Sequence, residues 1–432
     1  MSNKAQKRGL IPKLRFHEFR DAGEWVEKPV GRIATLRNGF AFKSSTYIDN
    51  GRYKVITIGN VQAGALLTED AKTISDLPRD IQFHQQLQIS DILISMTGNV
   101  GRICCVDVEN CLLNQRVGKL VLHGANNAFF YQSLNNDRFR EAMQSKAAGG
   151  AQGNLSSSAI EEYVLFMPQE DGEQQKIADC LASLDERITL EAQKLDTLKT
   201  HKKGLMQQLF PAEVETLPKL RFPEFRDAGE WEKKLIEDFF DVGSSKRVLQ
   251  QDWTTQGVPF YRTRELVSLS KNEPFGSEIF ISEALFREIS ENYGLPTEGD
   301  FLISGVGTLG VSYQVQAQDR FYFKDGNVLW FKAKGGVDST FFKYCFEADE
   351  IQNQIMGQAS ISTVGTYTIQ NAKVTKFTCS PSIDEQQKIA VCLTSIDDLI
   401  TAQTQKLTAL KTHKKGLMQQ LFPSVGGVAG EA

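Results

Sequence analysis

From Glu173 onward, apolar residues fall at Ile177, Leu181, Leu184, Ile188, Leu195, Leu198, Leu205 and Leu209, in steps of four and three. That rhythm keeps one apolar seam along one face of a helix, as in a coiled coil. Two slots break it, Glu191 and Lys202. A second run repeats the pattern at Ile389, Leu393, Ile396, Ile400, Leu407, Leu410, Leu417 and Leu421, with its breaks at Gln403 and Lys414. No proline interrupts either run, and Pro211 and Pro423 end them. Acids precede each (Glu170, Asp171 and Glu173; Asp384 and Glu385), as suits a helix N-terminus. The pattern predicts two helices of about 38 residues, each roughly 57 Å long. Gly204 and Gly416 fall inside them, read either as a fraying last turn or as room for another helix. The polar breaks read either as a solvated end of the seam, or as register control or a contact to a third protein.

The two runs belong to a larger repeat. Pro12-Lys-Leu-Arg-Phe-His-Glu-Phe-Arg-Asp-Ala-Gly-Glu-Trp25 returns as Pro218 to Trp231, with Pro223 replacing His17. Glu173-Gln-Gln-Lys-Ile-Ala178 returns as Glu385 to Ala390, and Leu198 to Pro211 as Leu410 to Pro423. Between these shared stretches the copies diverge. A faint match survives where Asp91-Ile-Leu-Ile-Ser95 parallels Asp300-Phe-Leu-Ile-Ser304, each followed by a glycine-containing loop, 96–101 and 305–310. The chain is therefore two copies of one unit with dissimilar surfaces on similar scaffolds.

The divergent stretches mix strand-like and helical patterns. Strand-like runs are Lys54–Ile58, Asp91–Ser95, Leu120–Leu122, Tyr163–Phe166, Phe301–Ser304 and Val328–Phe331, and helical stretches are Ala128–Lys146 and Thr340–Gly357. Strands dominate in irregular order, which predicts α+β heads rather than parallel βαβ units. An amphipathic helix cannot bury its seam alone, and its simplest partner is its twin. The expected fold is α+β: two similar α/β heads joined by two long antiparallel coiled-coil helices, with a pseudo-two-fold internal repeat. The expected divisions are a lead-in segment 1–25, a head 26–168, a helix 169–211, a linker and repeated lead-in 212–231, a second head 232–381, a second helix 382–423 and a flexible tail 424–432.

Composition changes this picture little. The chain has 432 residues, 41% of them hydrophobic and 24% charged, as in ordinary globular proteins. No run approaches the roughly 20 apolar residues that span a bilayer. The polar, basic start has no apolar signal core, so a cytoplasmic location is expected. Seven cysteines in an odd set without CxxC spacing argue against a disulfide framework or a zinc site. The net charge of −4 argues mildly against a free-standing DNA binder, unless cations gather on one face or a partner supplies the field.

Loop residues able to hydrogen-bond bases or phosphates are the candidate DNA contacts. In the first head these are Arg37, Asn38, Lys43, Ser44, Thr97, Asn99, Arg102, Asn114, Gln115 and Arg116. In the second they are Ser244, Ser245, Lys246, Arg247, Arg262, Arg264, Thr308, Lys324 and Asn327. No catalytic or metal-binding set emerges. Gly305-x-Gly307-x-x-Gly310 matches a dinucleotide fingerprint, but the following Val311–Gln316 reads as strand where that motif needs a helix. A tight turn is expected there.

The repeated Glu-Gln-Gln-Lys-Ile-Ala, the Lys-Lys-Gly-Leu-Met-Gln-Gln-Leu-Phe that ends each helix, and the Pro-Lys-Leu-Arg-Phe…Trp lead-in together resemble the conserved regions of type I restriction–modification specificity subunits. The alternation of variable and shared blocks covers nearly the whole chain. The resemblance implies that the heads, 26–168 and 232–381, are target-recognition domains, each reading one half of a split double-stranded DNA sequence. It implies that the helices fix the gap between the halves and dock two modification (methyltransferase) subunits, which restriction (motor and nuclease) subunits then join. S-adenosylmethionine, ATP and magnesium would belong to those partners, with no cofactor in this chain and no catalysis by it. Two other readings compete: a coiled-coil scaffold with protein-binding heads, which predicts no salt-sensitive DNA affinity, and a nucleotide-dependent enzyme, which predicts binding lost on changing Gly307.

Overall fold

A computed structural model describes residues 10–148, 153–212, 215–271, 273, 275–359 and 365–423. The expected tail 424–432 and residues 1–9 of the lead-in lie outside them. Two long helices, Asp171–Leu209 and Ile383–Leu421, have 39 residues each. The chain divides into two compact units that do not follow its linear order. One comprises Met1–Ala192 with Lys406–Ala432, the other Gln193–Gln405. Each unit thus holds one head, the start of its own long helix and the end of the other.

Within each unit the two helix segments run antiparallel. In the first, Lys406 Nζ lies 2.5 Å from Glu191 Oε1 and Lys414 Nζ lies 2.6 Å from Asp185 Oδ1. One chain number rises as the other falls. In the second, Lys202 Nζ sits 2.8 Å from Asp397 Oδ1 and 3.3 Å from Glu347. The polar seam breaks Lys202, Lys414 and Glu191 are therefore interhelical ion pairs, and a shift of one helix along the other would separate them. Gln403, the fourth break, is buried. Ile177, Leu181, Leu209, Ile389, Leu393, Ile396, Leu407 and Leu421 are buried, and Leu184, Ile188, Leu195, Leu198, Leu205, Ile400, Leu410 and Leu417 are half-buried.

Gly204 and Gly416 lie inside the helices, and an added Cβ would meet nothing within 4 Å. Neither fraying nor close approach by a described segment accounts for them. The double variant G204A/G416A should therefore gain about 1 kcal/mol per site in urea unfolding. A loss of stability would mean that these positions are more crowded than the free space allows.

The heads share a four-stranded antiparallel sheet and one parallel strand pair, and differ in the strands that flank that pair. In the first, a sheet of order Ala34–Asn38, Val117–Leu122, Ile92–Ser95 and Ile103–Cys105 is antiparallel throughout. A second sheet runs Lys72–Ile74, Tyr53–Ile56, Cys111–Leu113, Gln86–Leu87, its central pair parallel. The second head repeats the first sheet as Phe240–Ser244, Val328–Ala333, Phe301–Ser304, Ser312–Gln314. It repeats the parallel pair as Val258–Tyr261 beside Tyr322–Phe323. Ile92–Ser95 and Phe301–Ser304 are buried at every residue, as expected for strands covered on both faces.

The expected helix Ala128–Lys146 is two helices, Asn127–Leu134 and Asp137–Ala148. The break is chemical: Asn136 turns its side-chain oxygen to the Phe139 N–H and caps the second helix. Thr340–Gly357 likewise divides into Ser339–Glu347 and Asp349–Ala359, with extended Ala348 between them.

The repeated lead-in closes each core. Arg15 donates through Nε and Nη2, both at 2.7 Å, to the carboxylate of Glu173, which also accepts from the Trp25 indole at 3.2 Å. Arg221, Glu385 and Trp231 repeat the set at 2.7, 2.8 and 3.2 Å. Trp25 stacks edge-on against Phe129 and Phe422, and Trp231 against Phe341 and Phe210. Phe422 and Phe210 each end a long helix that started in the other repeat. The shared sequence is conserved between copies because both ends of both helices make the same joint.

Candidate nucleic-acid interface

In the first head, four loops leave the ends of Ala34–Asn38, Tyr53–Ile56, Ile92–Ser95 and Cys111–Leu113, and main-chain bonds knit them together. Phe40 N–H donates to Leu113 C=O at 2.8 Å, Gln115 N–H to Phe40 C=O at 2.9 Å, Asn114 N–H to Ile56 C=O at 3.1 Å and Met96 N–H to Arg116 C=O at 3.1 Å. Arg37, Asn38, Lys43, Ser44, Asn99, Gln115 and Arg116 are exposed along this edge. Thr97 and Asn114 are half-buried, and the Thr97 hydroxyl has no hydrogen-bond partner among the described residues. Arg102 is half-buried and donates to the Gln62 side chain.

The second head builds the same edge. Lys324 N–H donates to Tyr261 C=O at 2.8 Å and Gly305 N–H to Asn327 C=O at 2.9 Å. Lys246, Arg247, Arg264, Thr308 and Asn327 are exposed, and Ser244, Arg262 and Lys324 half-buried. Ser245 is buried and its hydroxyl donates to Phe323 C=O at 2.8 Å, so it braces the fold instead of offering a donor to solvent. A cleft of about 460 Å³ opens here between Thr263, Arg264 and Ser268 on one side and Gly307, Thr308 and Asn327 on the other.

The glycine loops are matching hairpins. Gly98 and Gly101 have φ of 67° and 79°, and Gly307 and Gly310 have 78° and 69°, a backbone that glycine adopts without strain. Ser95 and Ser304 brace them from the preceding strand: each accepts from a loop-end N–H (Arg102 at 3.0 Å, Val311 at 2.9 Å). Strand Ser312–Gln314 follows the second loop, so the dinucleotide fingerprint lacks its helix.

Charge differs between the edges. Glu265, 3% exposed, accepts from Arg262 at 2.8 Å and Arg264 at 3.0 Å, and both arginines also reach Glu278. Burial opposes ionisation of Glu265, but the Arg262 hydrogen bonds prevail and hold its carboxyl below the usual range. Asn60, at the corresponding place after strand Tyr53–Ile56 of the first head, lies in a turn instead of a helix, accepts from the Thr57 N–H and hydroxyl and carries no charge. The pattern of loop polarity did not single out His84, whose ring nitrogen lies 3.1 Å from Asn38 C=O, nor Thr263, whose hydroxyl is buried without a partner among the described residues. A lone histidine and a lone threonine carry no sequence signal; only the folded edge gathers them.

The model of the family described as type I restriction modification DNA specificity domain matches residues 22–200 and, a second time, 228–412. The chain belongs to this family. Its relatives are specificity subunits, which are not themselves catalytic. It is 29% identical over 179 residues to a putative type I restriction enzyme specificity subunit of Haemophilus influenzae, covering 40% of this chain and 43% of that one. It is 22% identical over 298 residues to the MjaVIII specificity subunit of Methanocaldococcus jannaschii, covering 65% and 66%. The matched stretches thus span less than two thirds of these relatives. Among solved structures, the type I S subunit from M. genitalium shares the fold with a TM-score of 0.61 at 15% identity, over 96% of this chain and 100% of that one. A chain from a type I R-M system solved in work on complex assembly and conformational transition gives 0.51 at 14% identity, over 93% and 98%. No described helix of this specificity subunit is long and apolar enough to cross a membrane.

Proposed function

We propose that each head of this specificity subunit reads one half of a split double-stranded DNA target through its four-loop edge. The observation that carries the reading is the repeated edge itself: the same antiparallel sheet, parallel strand pair and glycine hairpin in both units, bearing different side chains. A common scaffold with divergent loops is what two different half-sites require. In the first head, exposed Arg37, Lys43 and Arg116 would supply phosphate or guanine contacts, and Asn38, Asn99 and Gln115 adenine contacts. In the second, Lys246, Arg247 and Arg264 take the first role and Asn327 the second. The domain divisions 26–168 and 232–381 delimit the two readers.

The long helices would then fix the gap between half-sites and dock two modification subunits, with restriction subunits joining that complex. Interhelical ion pairs that lock the register support this role, since a ruler must not slide. Adenine methylation, ATP use and cleavage, with S-adenosylmethionine and magnesium, fall to those partners in the cytoplasm. The test is an adenine-methylation map of cells carrying this gene and its modification subunit. A split motif is expected, absent without the gene, and with only one half changed when residues 26–168 are replaced by another head. Identical maps with and without the gene, with the modification subunit active, would favour a protein-binding scaffold instead.

A further inference from the structure

Val164–Met167 pairs with Val26–Pro29 in a two-stranded sheet, and its other edge meets no strand among the described residues. Val30 N–H donates to Tyr163 C=O at 2.8 Å. Antiparallel alternation then directs the main-chain groups of Leu165 and Met167 toward the partner strand and those of Val164 and Phe166 outward. In the second unit Lys376–Cys379 pairs with Glu232–Leu235 in the same way, and Ile236 N–H meets Thr375 C=O at 3.0 Å, so Lys376 and Thr378 face outward.

There the outward edge is closed. Gln354 accepts from Lys376 N–H at 2.9 Å and donates to Lys376 C=O at 2.7 Å. Glu350 accepts from the Thr378 N–H at 2.8 Å and from its hydroxyl at 2.9 Å. The corresponding positions on the helix Asp137–Ala148 are Arg138 and Ala142. Alanine has no polar side-chain atom. Arginine has no acceptor, and the Arg138 guanidinium lies over the Phe166 ring at 5.9 Å. Among the described residues nothing accepts from the outward N–H groups of Val164 and Phe166.

The open edge lines a groove of about 710 Å³ whose walls also carry Lys13, Arg138, Lys411 and Lys415. Asp137 is its lining carboxylate, and Lys415 and Arg140 already neutralise it. An unpaired strand edge is a template for another strand, and unanswered cations beside it select for carboxylates. We propose that this groove takes an extended acidic segment of a partner protein as a third strand beside Val164–Met167. The second unit offers no equivalent, because Glu350 and Gln354 occupy the place of such a strand. Specificity for one end of the chain follows, though the lead-ins and helices are duplicated.

The test uses the full chain and a fluorescein-labelled peptide of alternating glutamate and valine, read by anisotropy. Binding should weaken with salt. It should fall at least about tenfold in R138E/A142Q, which transplants the second unit's closure and removes three main-chain hydrogen bonds from the peptide. K411E, which alters only an exposed side chain, should also weaken it. A control peptide with proline in place of each valine should not bind. The proposal is overturned if K411E and R138E/A142Q leave the affinity unchanged, or if the proline peptide binds equally and only charge matters. It is also overturned if deleting 424–432 strongly raises affinity, marking the chain's own tail as occupant, or if a single-stranded oligonucleotide binds the groove more tightly than the peptide and shows the same losses.

Discussion

Replacing Glu385 by alanine should cost the second unit about 3–5 kcal/mol in urea unfolding, because it leaves a buried cation without its anion. Glu385 is fully buried and accepts from Arg221 Nε and Nη2, the Trp231 indole and, at 2.6 Å, the Ser380 hydroxyl. The Arg221 side chain is 8% exposed, and hydrogen bonding by Glu385 raises its pKa against the cost of burial. Removing the carboxylate leaves the guanidinium, among the described residues, only the Gly229 C=O. The double variant R221M/E385M should recover most of the loss, since it removes both charges and fills the space with apolar atoms. Glu173→Ala should weaken the first unit in the same way but by less. Pro168 stands there in the place of Ser380, so Glu173 accepts one hydrogen bond fewer. A loss for E385A under about 1 kcal/mol, the range of exposed ion pairs, would refute this account of the joint.

Gly39→Ala should cost about 1–3 kcal/mol in melting and displace the four-loop edge of the first head. A Cβ at Gly39 would lie 2.2 Å from Asn114 O and 2.6 Å from Leu113 O, which are backbone atoms that no rotamer change can move aside. The strain falls on the junction that holds Asn38, Asn114, Gln115 and Arg116 together. DNA affinity should fall through the first half-site alone. Gly243→Ala is the control: it precedes the corresponding edge of the second head, and an added Cβ there meets nothing within 4 Å. Equal effects of the two substitutions would show that crowding at Gly39 is not the cause.

The architecture was largely legible because repetition and periodicity are properties of a sequence. The heptad seam located both helices to within a few residues, and buried runs such as Phe301–Ser304 announced themselves by consecutive apolar residues, here Phe-Leu-Ile. What escaped depends on partners distant in the chain. Asp185 and Asp397 look like ordinary helix-surface acids until Lys414 and Lys202 arrive from the other helix. Ser245 has the composition of a surface loop residue, yet Phe323 claims its hydroxyl. Glu350 and Gln354, four apart on a helix, read as a solvated face; only the fold shows them closing a strand edge that Arg138 and Ala142 leave open. Net charge was equally uninformative, because an overall value of −4 conceals a groove lined by lysines.

The exchange of helix ends between units has a consequence for biosynthesis. The second unit is continuous, Gln193–Gln405, and can close as soon as that stretch has left the ribosome. The first cannot. Its head is made early, yet the contact of Trp25 and Phe129 with Phe422 must wait for a segment roughly 300–400 residues later. At translation rates of roughly 5–20 residues per second, that apolar surface stays uncovered for tens of seconds while the other unit folds. The first head is therefore the part of the chain that waits longest for its cover, and slowing synthesis of the second head lengthens its exposure.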